Sequence, residues 1–111
     1  KRVLIRGIGP SLTGFGVAGA LVDSTVKVYQ GSTLVAQNDD WGTPQAVAGG
    51  TAPATGAEIS AAATATGAFA LGAGTRDAAL LVTLPPGAYS AVVAGSANTT
   101  GAGLVEVYEV P

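Results

Sequence analysis

The chain has 111 residues, 5 Lys and Arg against 7 Asp and Glu, and no histidine, cysteine or methionine. A pI near 4.7 excludes the phosphate-neutralising surface of a nucleic-acid-binding protein, and the length suits one domain with one core between two layers. Charged residues make up only 11% of the chain, about half the usual share, so a weakly charged Ala, Gly, Thr and Ser surface that self-associates readily is expected.

Arg2 to Ile8 alternates, with Val3 and Ile5 on one face and Arg2, Leu4 and Arg6 on the other, as in a strand with one buried side. A glycine-rich connection runs from Gly9 to Gly19. Ser24 to Gln30 and Thr33 to Gln37 flank Gly31-Ser32 and read as a hairpin. After Asn38-Asp39-Asp40-Trp41-Gly42 comes an Ala/Gly/Pro/Thr loop to Ala54. Thr55-Gly56-Ala57-Glu58 fits a capping box for an alanine-rich helix near 56–66 that stops at Gly67. Phe69 and Leu71 suggest a brief extended piece. Ala78 to Leu84, the turn Pro85-Pro86-Gly87, Ala88 to Ala94 and Ala102 to Val110 read as strands. The last of these is apolar on both faces, as expected of a strand that is central or covered by a partner.

These elements imply a single all-β domain over 1–111, an antiparallel β-sandwich of about seven or eight strands with one short helix. The expected core is Val3, Ile5, Val26, Val28, Leu34, Leu80, Val82, Leu84, Val92, Val105 and Val107. No apolar run approaches the roughly 20 residues that span a bilayer. The chain begins at Lys1 with no leader pattern before the first strand, which reads as a mature form or an excised module.

Gly14-Phe15-Gly16-Val17-Ala18-Gly19 matches the dinucleotide glycine pattern. It leads into a β-branched strand and not into the helix whose N-terminus would hold a pyrophosphate. Asn38, Asp39 and Asp40, with Asp23 at the mouth of the hairpin, are candidate ligands for Ca²⁺, which takes six to eight oxygens; the alternative is that they cap the turn. Trp41 is either a contact for a sugar ring or a core filler. Asn98-Thr99-Thr100 satisfies the glycosylation sequon. A chain without histidine or cysteine, and without paired acids or a nucleotide loop, has no machinery for catalysis and is expected not to be an enzyme.

Arg2-Val3-Leu4-Ile5-Arg6, Gly9-Pro10-Ser11-Leu12, Asn38-Asp39-Asp40-Trp41, Ala78 to Tyr89 and Leu104-Val105-Glu106-Val107-Tyr108 together resemble a repeat module of large secreted and cell-surface proteins of environmental bacteria. The pattern is similar to the bacterial pre-peptidase C-terminal type of jelly-roll domain. The resemblance covers essentially the whole chain. It implies an extracellular, non-catalytic module of a kind that sometimes binds calcium or polymers such as polysaccharide; of the ligands in its calcium-binding relatives, only Asn38, Asp39 and Asp40 find counterparts. The function expected is a structural subunit that associates with copies of itself in a surface fibre. Strand addition at its first and last strands would use Val3, Ile5, Tyr108 and Val110. The alternative is a calcium- or carbohydrate-binding adhesion module.

Overall fold

The computed structural model describes residues 1–50 and 52–111; Thr51, in the stretch read above as a loop, lies outside them. Six strands are formed: β1 (Arg2–Ile8), β2 (Ser24–Gln30), β3 (Thr33–Asn38), β4 (Ala78–Thr83), β5 (Tyr89–Gly95) and β6 (Leu104–Glu109), with one α-helix, α1 (Gly56–Thr66). They make two three-stranded antiparallel sheets, ordered β4-β1-β6 and β3-β2-β5. The expected seven or eight strands are therefore six among the described residues. The Phe69–Leu71 piece joins no ladder, and the Phe69 carbonyl instead accepts a 2.6 Å hydrogen bond from Arg6 Nη1.

The hairpin forms where β-branched alternation meets Gly31, whose φ of 61° suits glycine in a tight turn. Its pairing steps from Val28↔Ala36 to Tyr29↔Leu34, so Val35 is an extra residue that bulges the strand. The helix begins and ends where the sequence places it. Thr55 Oγ1 accepts from the Glu58 amide, Glu58 returns a carboxylate oxygen to the Thr55 amide, and Gly67 closes the helix in the left-handed conformation.

One face of the first sheet packs on the second sheet through Ile5, Ala78, Leu80 and Val82 against Val26, Val28 and Ala36. Its opposite face carries Leu4, Ala79 and Leu81 under Ile59, Ala62 and Ala63 of α1, with Trp41 beside them. The first strand is thus buried on both sides. Leu4 and Arg6, placed above on a solvent face, are 0% exposed, because the helix and Trp41 supply a third layer that no local pattern announces.

The structure also corrects the expected edges. β1 lies at the centre of its sheet, with both backbone edges paired, so half-buried Val3 and core residue Ile5 are not on a free edge. The edges of this sheet are β4 and the last strand, β6, the second of which was expected. Half-buried Tyr108 and Val110 pack toward the helix side, whereas Val105 and Val107 share the parity of Ile5 and yet remain 47% and 60% exposed, because β5 and β6 do not close on each other. Val92, also expected in the core, is exposed; its neighbours Ala91 and Val93 pack inward, which by strand alternation turns it outward.

The two flanks of the sheet pair differ. Between β3 and β4 the long loop closes down, with Pro44, Gln45, Pro53 and Ala54 lining a cavity of only ≈ 20 Å³. Between β5 and β6 a groove of ≈ 430 Å³ is bounded by Leu21, Val93, Thr99, Gly101 and Val105. No helix among the described residues is long and apolar enough to cross a membrane.

Candidate metal centre

An antiparallel hairpin brings the residue before its first strand beside those after its second. Asp23 precedes β2, and Asp39 and Asp40 follow β3, so the topology collects three acids at one point. One carboxylate oxygen from each lies within 4.8 Å of the others. Asp23 Oδ1, Asp39 Oδ1 and Asp40 Oδ1 are buried with no hydrogen-bond partner among the described residues. Arg76 Nη1 stands 3.7 Å from Asp23 Oδ2, but that arginine side chain is 69% exposed, which leaves it a weak counter-charge.

The electrostatics follow from this crowding. Loss of hydration, a hydrogen bond that only the protonated Asp39 carboxyl can donate to Asp23, and repulsion from Asp23 and Asp40 push the Asp39 carboxyl up to about 6 from 3.8, with Arg76 partly opposing them. Where carboxylates share a site, one of them is pushed up in this way.

Opposite ligands of Ca²⁺ stand about 4.8 Å apart, twice a metal–oxygen distance of about 2.4 Å. The spread of the three oxygens fits one coordination sphere of that size. Three carboxylates also supply the all-oxygen donor set that a hard cation takes. Of the four residues singled out in the sequence, the structure brings together Asp23, Asp39 and Asp40. Asn38 departs from the set: its Nδ2 donates to the Thr43 carbonyl and its Oδ1 accepts from the Ala79 amide. It spans β3 and β4 as a buried bracket.

The cluster is held by polar groups invisible to the sequence reading. Asp77 is 0% exposed and accepts from the Gly9 and Ser11 amides and from Ser11 Oγ. Its carbonyl accepts from the Trp41 amide, and the Arg76 carbonyl from the Ser24 amide. Ser24 Oγ in turn donates to the Gly7 carbonyl at 2.7 Å. Residues flanking all three acids are thereby fastened to the segment entering β4, and a buried aspartate saturated by amides is the kind of rigid support a ligand set needs.

Trp41 is not an open platform for a sugar. It is 9% exposed, packs with Leu4 and Ile59, and its indole N–H is shared by the Gly72 carbonyl and Thr75 Oγ1, each at 3.1 Å. The glycine run at 14–19 leads into no α-helix; Gly16 instead ends a 3-10 turn over Pro10–Phe15. No family model, curated protein or solved structure matches the chain.

Proposed function

We propose that this chain is a non-catalytic β-sandwich module of an extracellular or cell-surface protein, in which Ca²⁺ bound by Asp23, Asp39 and Asp40 locks the mouth of the β2–β3 hairpin onto the rest of the domain. The convergence of three carboxylates, each with a buried oxygen that no protein group satisfies, carries this reading. Millimolar free Ca²⁺ is what such modules meet outside cells, where sites of modest affinity suffice. The packed antiparallel sheets agree with the secreted modules that the sequence resembles.

Calcium titration tests it. At ten times its Kd the ion adds about 1.4 kcal/mol to the folded state, a rise in Tm of about 5 °C for a domain of this size. Asp39→Asn should abolish the rise. A wild-type Tm unmoved by millimolar Ca²⁺ sinks the reading.

A second reading has its own observation. β6 is an edge strand with Leu104, Val105 and Val107 exposed, and an unblunted apolar edge is a template for a further strand. With a net charge of only −2, another copy of the chain meets little repulsion there, and we propose self-association through β6 as the route to a fibre. Val107→Lys should keep the fold and lower the association state in sedimentation. A wild-type protein that stays monomeric at high concentration refutes this.

A further inference from the structure

On the helix side of the first sheet a pocket of ≈ 90 Å³ is lined by Arg6, Trp41, Ile59, Ala63, Leu71 and their neighbours. Arg6 is the anomaly in it. Its side chain is 0% exposed, which for an arginine requires that every N–H find a partner or carry a penalty. Nε donates to Glu106 Oε1 at 2.8 Å and Nη1 to the Phe69 carbonyl. The Phe69 ring lies 4.3 Å from the guanidinium carbon, a cation–π contact. Nη2 is buried and has no partner among the described residues.

Nearly all of this arrangement holds the guanidinium rigid. Glu106 Oε2 accepts from Tyr108 Oη at 2.9 Å, so the ion pair is itself buttressed, and the tyrosine hydroxyl is held above its ordinary pKa first by burial and then by that carboxylate. The one unspent donor group belongs to a planar cation suited to carboxylates. Around it the walls are apolar, apart from Ser60 and Thr64, which are exposed residues of the helix.

We propose that this pocket is a binding site for a short-chain monocarboxylate, the carboxylate accepting from Arg6 Nη2 and the alkyl end lying among Trp41, Ile59, Ala63 and Leu71. Size restricts the ligand. An apolar cavity of about 150 Å³ takes benzene, with six non-hydrogen atoms, so this one of ≈ 90 Å³ holds roughly four, the scale of acetate, with propionate as the upper limit. A phosphate or sulfate would leave the apolar wall without a partner, and a sugar ring is too large.

Trp41 is the only tryptophan and lines the pocket, so its emission reports on occupancy. Propionate titrated into the intact chain should give a saturable change with a Kd in roughly the millimolar range, as befits so few atoms. Propionamide, of the same shape without the charge, should bind about tenfold more weakly, the gap between a charged and a neutral acceptor. Sodium chloride at matched ionic strength should do nothing. Ala63→Leu, which fills the pocket and leaves Arg6 in place, should remove the response. If that variant misfolds, the cross-peak of Arg6 Nε in wild-type NMR spectra gives the second reading and should move with propionate. Equal responses to propionate and propionamide, a response reproduced by salt, or no saturable change in emission or cross-peak each overturn the proposal. The calcium response of the acid cluster is read separately by Tm, and the propionate titration is run without Ca²⁺ because Trp41 directly follows Asp40.

Discussion

The two flanks of the sheet pair were built from similar residues and ended differently. On the β3–β4 flank the apolar strand Ala78–Thr83 is buried along nearly its whole length, because the proline-bearing loop after Trp41 folds over the gap and leaves a cavity of only ≈ 20 Å³. On the β5–β6 flank Val105 and Val107 point the same way as core residue Ile5, yet Val105 lines a groove and Val107 is exposed. Inward parity is therefore necessary for burial but not sufficient; something must stand opposite. What the comparison teaches is that the exposed valines are a property of the open gap between β5 and β6 and not of their own sequence.

The strongest way to break this contrast is to delete the same kind of side-chain volume on each flank. Leu80→Ala on the closed flank, in the layer between the sheets, should cost about 2–5 kcal/mol, the range for a buried leucine truncated to alanine. Val107→Ala on the open flank should cost less than about 0.5 kcal/mol, as for other surface changes. Urea unfolding measures both, and equal losses would mean that the open flank is covered in solution.

The acid cluster sharpens the contrast from the hairpin end. The folded-state pKa of Asp39 is about 6, above its ordinary value of 3.8, so the folded state retains a proton that the unfolded chain gives up across that window. Stability without metal should accordingly fall as pH rises from about 4 to 6 and stay lowered above it. Calcium competes with the same proton, and its effect on Tm should be small at pH 5 and full at pH 7.5. Asp39→Asn should flatten the metal-free profile. A profile that rises through this window in the wild type contradicts the assignment.

The smallest effect belongs to the helix that covers the first sheet. Thr55→Ala removes one half of an exposed capping box and should cost about 1 kcal/mol. A loss several times larger would show that α1 and the closed flank fold as one unit.

Much of the local structure was legible. The β2–β3 hairpin, the helix with its cap at Thr55 and its stop at Gly67, and the strands β4 and β5 follow from periodicity and turn chemistry, which act between near neighbours; that β4 and β5 enter different sheets does not. The site was half legible: Asp39 and Asp40 stand together in the chain, and the hairpin brings Asp23 to them, but the diversion of Asn38 depends on Ala79 and Thr43. What stayed hidden was decided by distant segments. Nothing in Arg2 to Ile8 states that α1 and Trp41 will bury its second face, that Arg6 will be enclosed, or that β1 will take the central place. Asp77 could not be singled out either, since its value lies in the amides of Gly9 and Ser11.

The central position of β1 also has a temporal meaning. Its neighbours are β4 and β6, so the strand at Arg2–Ile8 has no sheet partner until synthesis has passed Thr83, and its second edge stays bare until Leu104–Glu109 exists. Pairings of such long sequence separation make folding slow. The first sheet of a nascent chain of this kind stays incomplete until Leu104–Glu109 has been made.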